Sequence, residues 1–169
     1  MAAQGARGAP DETFVLPDSI GGTPGMPRRA ARIGRMFDRV DHVGIAVSDL
    51  EAAIAFYKRA FGVEPSHRET VEEQGVEEAM IRVGESWIQL LRPLGPDTPV
   101  GKFIAKRGEG VHHIGYGVTD LEHVLAHLKS EDVPLIDQRP RHGSRGASVA
   151  FIHPKGVGGV LVELVQEKE

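Results

Sequence analysis

The chain has 169 residues, 40% of them hydrophobic and 26% charged, and its 20 Lys and Arg against 24 Asp and Glu give a formal net charge of −4. That size and balance fit one domain, or two small modules sharing a core, and the slight acidity argues against nucleic acid or an anionic membrane as the main partner. Cysteine is absent, which excludes disulfides and thiolate metal sites and leaves nitrogen and oxygen to hold any metal.

Residues 1–36 differ in kind from the rest. Nine of the first 28 are Gly or Pro, and no hydrophobic period runs through them. Such a stretch buries too little apolar surface to offset its ordering entropy and reads as a flexible arm. It lacks a basic segment leading into an apolar one, and no apolar run anywhere is long enough to cross a bilayer, so the expected location is the cytoplasm.

From Arg39 the pattern tightens. In VDHVGIAV, Val43, Ile45 and Val47 alternate with His42, Gly44 and Ala46, the period of a strand. Ser48-Asp49-Leu50-Glu51 then has the form of a capping box, opening a helix whose stripe is Leu50, Ile54, Tyr57 and Phe61 and whose stop is Gly62. Three strand candidates follow: one near residues 64–70, then EEAMIRVG, then SWIQLLRP. A connector over 95–110 carries a short helix, PVGKFIAKRG.

The second half repeats the first. HHIGYGVTDLE restates DHVGIAVSDLE, with His113 over His42 and Thr119-Asp120-Leu121-Glu122 as the second capping box. Leu121, Leu125 and Leu128 make the helix stripe, and LIDQRP, ASVAFIH and GVLVELVQ are the strand candidates. Two βαβββ modules, about 39–94 and 110–166, therefore pair in one α+β domain over 37–169.

A second correspondence sets WIQLL over LVELV, and so Gln89 over Glu163, both polar in the middle of an apolar strand. That placement suits a cavity wall rather than a dry core. His42, Gln89, His113 and Glu163, one from the first and one from the last strand of each module, converge when the modules sit side by side. Two imidazoles, a carboxylate and an amide oxygen suit a divalent cation, with Co²⁺ the first choice and Mn²⁺, Ni²⁺, Zn²⁺ or Mg²⁺ also fitting. Four ligands leave two adjacent places open for a chelating substrate. By strand phase His112 aligns with Asp41 and points off the site. His67, His123, His127 and His142 read as solvated, and His153 as a turn residue beside the ligand. A base for proton transfer is offered by Glu72, Glu73, Glu77 and Glu78, and parity alone does not choose among them.

DHVGIAVSDLE, EEQGVEEAM, PVGKFIAKRGEGVHHI and HPKGVGGVLVELVQ together resemble the methylmalonyl-CoA epimerase family of the vicinal oxygen chelate superfamily, over roughly residues 38–166. The resemblance implies metal ligands at His42, Gln89, His113 and Glu163, and an acid/base glutamate at Glu78. It also implies a half-open sheet around the metal, a homodimer, and interconversion of the (R)- and (S)-forms of methylmalonyl-CoA. Chemistry of that kind calls for two proton-transfer groups flanking a planar enolate, and Glu163 is the candidate partner of Glu78 through its non-coordinating oxygen. Arg139, Arg141, Arg145 and Lys155 are the candidates for the phosphates of the acyl-CoA, and the loop RHGSRGAS for closure over it. Three rival readings share the fold: a glyoxalase-I-like isomerase, an extradiol-type dioxygenase, and a metal-free ligand-sequestering module. EQGV and GEGVHHI favour the epimerase, and a fourth ligand at Gln89 argues against the dioxygenase.

Overall fold

The computed structural model describes residues 35–168. In chain order it runs β1 (Arg39–Ala46), α1 (Leu50–Phe61), β2 (His67–Val71), β3 (Val76–Val83), β4 (Ser86–Pro93), α2 (Pro99–Arg107), β5 (Gly110–Gly117), α3 (Leu121–Ser130), β6 (Arg141–His142), β7 (Ser148–Ile152) and β8 (Val162–Gln166). The strands form one eight-stranded sheet in the order β2-β3-β4-β1-β5-β8-β7-β6. Each module contributes four adjacent strands, and β1 and β5 pair antiparallel at the seam. The α+β fold of two paired βαβββ modules is thus the one the repeat predicts. β2 and β6 are opposite ends of the sheet, yet the turn after β6 hydrogen-bonds to β2 through Arg145 N and Glu69 Oε1 at 2.6 Å. The sheet is curled far enough for its two ends to meet.

The arm expected over 1–36 lies outside the described residues up to position 34. Its last residues belong to the fold: Met36 packs on the core under α3, and Phe37 stacks on Tyr116 with ring centroids 4.8 Å apart.

Each helix starts one residue later than the capping boxes suggest. Asp49 accepts from Ala52 N and Asp120 from His123 N, both at 2.9 Å. A carboxylate in the cap position satisfies a free N–H and faces the positive end of the helix, so it displaces the hydroxyl beside it. Ser48 N donates instead to Glu109 Oε1, at 2.6 Å. Gly62 ends α1 in the left-handed region, at φ 68°.

The two helices bury unequal faces. In α3, Leu121, Val124 and Leu125 are buried against Ala150, Ile152, Val162 and Leu164. In α1, Leu50 alone is fully buried, with Ile54 and Tyr57 partly so. Phe61, expected on the stripe, is 63% exposed and packs on Phe56 and Tyr57 of its own helix.

LIDQRP is not a strand. Only Leu135 makes a bridge, to Ile152, and Asp137 turns its carboxylate inward to accept the N–H of Phe151 at 2.9 Å. Pro140 then has no N–H to give a ladder, and pairing resumes only over Arg141–His142.

The core under α3 should therefore respond to truncation where the end of α1 does not. Leu121→Ala is expected to cost about 2–5 kcal/mol, and Phe61→Ala less than about 0.5 kcal/mol. Urea unfolding of the two variants measures both.

Candidate active site and metal centre

The seam register puts His42 opposite Gly115 and His113 opposite Gly44. Each ring lies over the glycine of the other strand. A Cβ on Gly44 would stand 2.4 Å from Cε1 of His113, and one on Gly115 would stand 2.3 Å from Cε1 of His42. The repeated His-x-Gly is a matched pair of ring and recess, and it brings the two Nε2 atoms to 2.9 Å. The parallel neighbours extend the same rows, since Gly44 faces Gln89 and Gly115 faces Glu163. Glu163 Oε2 then lies 2.9 Å from His42 Nε2 and 3.3 Å from His113 Nε2. Gln89 donates from Nε2 to Glu78 Oε2 at 2.7 Å, which leaves its buried Oε1 with no hydrogen-bond partner among the described residues.

These residues fit a divalent cation. Two imidazole nitrogens and a carboxylate oxygen converge on one point, and an orphaned amide oxygen comes from the neighbouring strand. An unpartnered buried carbonyl costs about 1–3 kcal/mol, which coordination would offset. Without a cation the cluster is joined by a proton. Burial pulls the His42 pKa down, but the hydrogen bonds to Asp41 and Glu163 outweigh it and hold it at about 9. For Glu163 burial pushes upward, and the bonds to His113 and His42 keep the carboxyl well below the ordinary range. His113 is shifted down by burial, against the pull of Glu163. A cation binding here replaces that proton.

The sheet is bulged at the seam between Val40 and His42, and again between Gly44 and Ile45. The residues set out of register are Asp41 and His112, each just before a histidine of the cluster. Asp41 Oδ1 therefore reaches His42 Nδ1 at 2.9 Å, and a carboxylate there, being acceptor-only, takes the Nδ1 proton and leaves Nε2 its lone pair. Asp41 is in turn held by Arg39 at 3.1 Å and Arg145 at 3.0 Å. His112 Nδ1 stands 3.0 Å from His113 Nδ1. Burial, with the His113 charge beside it, lowers its pKa to about 4, so it is a neutral ring. The expectation that His112 points off the site is corrected: a bulge cancels the alternation on which it rested.

Glu78 lies on the inner face of β3 and is fully buried. Glu77 lies on the outer face, where Arg92 holds it at 2.6 Å. Burial is the main influence on Glu78 and raises its pKa to about 7, with the charges of Glu69 and Glu163 adding to it and the bonds from Ser144 and Gln89 opposing. Among the described residues the buried polar side chains are Asp41, His42, Glu78, Gln89, His113 and Glu163, and all six belong to this one cluster.

With that geometry in hand, the known proteins can be compared. The glyoxalase/bleomycin resistance protein/dioxygenase superfamily matches residues 41–151. Human mitochondrial methylmalonyl-CoA epimerase is 40% identical over 129 residues, 76% of this chain and 73% of that one. The chain belongs to the methylmalonyl-CoA epimerase family. Ethylmalonyl-CoA/methylmalonyl-CoA epimerase of Cereibacter sphaeroides is 38% identical over 78% of this chain and 99% of its own length. A variant of Streptomyces coelicolor methylmalonyl-CoA epimerase, solved with 2-nitronate-propionyl-CoA, superposes with a TM-score of 0.76 at 44% identity, covering 78% of this chain and 95% of that one. As a member of this family the chain is an isomerase of the epimerase class, and acyl-CoA is its class of substrate.

A cavity lies beside His113. It measures about 230 Å³ and is lined by Glu73, Val76, Leu91, Val100, His113 and Phe151. Past Pro99, His112 and Leu161 it continues into a groove of about 530 Å³, flanked by Lys102, Lys106 and Arg107 of α2. The four cations expected to meet the phosphates are placed otherwise. Arg145 is committed to Asp41 and lies 4.9 Å over the Trp87 ring. Arg141 is tied to Asp137 at 3.1 Å and stacked on Phe151. Arg139 borders a hollow against α3. Lys155 sits in a surface turn, its N–H accepted by His153 Nδ1 at 3.1 Å. The first two are drawn inward by the carboxylates of Asp41 and Asp137, a preference sequence does not display.

Sequence reasoning missed Asp41, His112 and Ser144. The offset alignment held a signal for the first two, since both immediately precede a repeated His, whereas Ser144 meets Glu78 only through the curl of the sheet.

Filling the recess tests this geometry. In an ordinary strand Gly→Ala is neutral or stabilising. Gly115→Ala is instead expected to displace His42 and weaken Co²⁺ or Mn²⁺ binding by roughly 10–100-fold, with the fold retained. Calorimetric titration with the metal and a circular dichroism spectrum read the two quantities separately.

Proposed function

We propose that the chain interconverts the C2 epimers of methylmalonyl-CoA, with a divalent cation held by His42, Gln89, His113 and Glu163 and with Glu78 as the base. The observation that carries this reading is the position of Glu78: sealed from solvent, one hydrogen bond from the ligand Gln89, and shifted to a pKa near neutrality. A base with that pKa takes a proton and gives it back at comparable cost. Bound at those four residues, the cation supplies Lewis-acid stabilisation of the charge that develops on the thioester oxygen as C2 loses its proton.

The protein's own groups do the rest. Glu78 removes the proton on one face of C2. The apolar wall of Val76, Leu91, Val100 and Phe151 seats the acyl group and excludes water. Glu163, through its oxygen turned away from the histidines, is the partner that returns a proton on the opposite face of the planar enolate. Lys102, Lys106 and Arg107 lie where the phosphates of the CoA tail would emerge from the cavity, which supports assigning them that task. The resemblance also supports a homodimer.

Nuclear magnetic resonance of methylmalonyl-CoA in D₂O tests the reading. Metal-loaded protein should exchange the C2 proton rapidly, chelated protein should not, and Glu78→Gln should lower the rate by about 10²–10⁴-fold. Exchange that survives the Glu78 substitution would discard this base, and exchange that survives chelation would discard the cation's part.

A further inference from the structure

The hydroxyl of Ser144 stands between two carboxylates. Its Oγ is hydrogen-bonded to Glu78 Oε1 and lies 2.9 Å from Glu69 Oε1. A hydroxyl has one proton and two lone pairs. It donates to one carboxylate at a time, and the second contact is a hydrogen bond only when the other carboxylate carries a proton. Glu69 Oε1 also lies 2.8 Å from His67 Nε2 and accepts the backbone N–H of Arg145 at 2.6 Å. One polar atom each from His67, Glu69 and Glu78 falls within 4.8 Å of the other two. Exposure increases along this line, from the sealed Glu78 to the Glu69 side chain at 27% and that of His67 at 36%.

Removing a proton from C2 makes no use of Glu69 or His67. Both lie on β2, at the end of the sheet, away from the ligand residues. Their placement answers a different need. Each conversion in one direction leaves a proton on Glu78, and the next begins only after that proton has gone. Glu78 has no exposed surface through which to lose it.

We propose that Ser144, Glu69 and His67 form a proton relay joining Glu78 to solvent, which exchanges the proton taken from C2 for one from water. This rests on the assignment of Glu78 as the base. The C2–H bond breaks, its electron pair stays on the substrate as the enolate, and the proton joins Glu78. The Glu78 proton then passes to Ser144 Oγ as the hydroxyl's own proton passes to Glu69 Oε1. Glu69 hands it to His67 Nε2, and the imidazolium releases it to water. The enolate pair takes a proton on its other face from Glu163, which water must then reprotonate. In the reverse direction the same transfers run backwards, and Ser144, Glu69 and His67 end each passage as they began. The turn that carries Ser144 comes from the second module and closes against β2 of the first, so the relay exists only in the curled sheet.

The test follows one epimer of methylmalonyl-CoA in D₂O with the metal-loaded full chain. Mass spectrometry reads deuterium at C2 in the starting epimer recovered from the reaction, and single-turnover and steady-state rates are measured side by side. Glu69→Gln keeps the shape and an accepting oxygen but does not shuttle a proton. It is expected to lower deuterium in the recovered epimer, and the steady-state rate, by about tenfold while the single-turnover rate is held. His67→Ala should do the same, and imidazole added to the buffer should restore it. Unchanged deuterium uptake in both variants overturns the relay. So does an equal fall of single-turnover and steady-state rates in Glu69→Gln, which is the signature of mere structural support. Glu78→Gln separates the two ideas: if it retains conversion and exchange, the base assignment fails, whereas its inactivity beside unaltered Glu69→Gln and His67→Ala proteins removes the relay alone.

Discussion

Everything at the centre of this protein depends on the antiparallel pairing of β1 with β5. A strand pair has one register in which two histidines, each two residues before a glycine, lie over one another's glycines, and that is the register found. Slipping by one residue would turn both rings to the far face. Slipping by two would set His113 against Ala46 in one direction and the two histidines against each other in the other. The glycines weaken their strands through lost packing and greater backbone freedom. What they gain is a recess that holds two imidazoles with their Nε2 atoms 2.9 Å apart. The register also aligns Gln89 and Glu163 through the parallel neighbours, so one pairing sets all four candidate ligand positions.

The seam is also where the fold concentrates its electrostatic cost. Buried ionisable groups are tolerated when they are paired and hydrogen-bonded, and are strongly destabilising when one partner is missing. Here they are gathered into one network, with Arg39 and Arg145 at its rim and Asp41, His42, Glu163 and His113 in sequence behind them. Apolar clusters surround it: one under α1, one under α3, and one between α2 and the sheet that contains Val71, Val76, Leu91 and Val100. The helices hold the sheet in its curl, and the curl brings Ser144 to Glu78 across 66 positions of chain.

What was legible in the sequence was whatever has a local period or is written twice. Strand alternation around His42, the helix that follows, and the polar Gln89 and Glu163 inside apolar runs all declare themselves within a few residues, and the duplication turns each from a weak signal into a paired one. What was not legible depends on pairing between distant strands. The bulges that swing Asp41 and His112 toward the ligand histidines are properties of two strands, not of either alone. Parity placed Glu77 and Glu78 on opposite faces but had no means to say which face is concave. Ser144 reads as one small residue in a glycine-rich loop, and LIDQRP reads as a strand until Asp137 is seen to take the N–H of Phe151.

The duplication is faithful in the four candidate ligands and broken at the proposed base, and that break suits the proposed chemistry. Gln89 pairs with Met80 on the neighbouring strand, and two residues back along that strand is Glu78; Glu163 pairs with Phe151, and two residues back is Val149. The place that holds a carboxylate in the first module therefore holds a valine in the second. A perfect two-fold frame would present the same group to both faces of a bound thioester. This one has a carboxyl raised to near neutrality at the first position and a valine at the second. Of the two other buried carboxylates in the described residues, Asp41 is fully engaged by His42, Arg39 and Arg145. On the proposed reading, that leaves the candidate ligand Glu163 as the carboxylate for the second face. The hydrogen bonds from His113 and His42 favour its ionised form, whereas burial favours the neutral form of Glu78. The two faces are then served, on that reading, by unlike carboxylates, so the two directions of epimerisation load the site differently, and only Glu78 lies beneath the hydroxyl of Ser144.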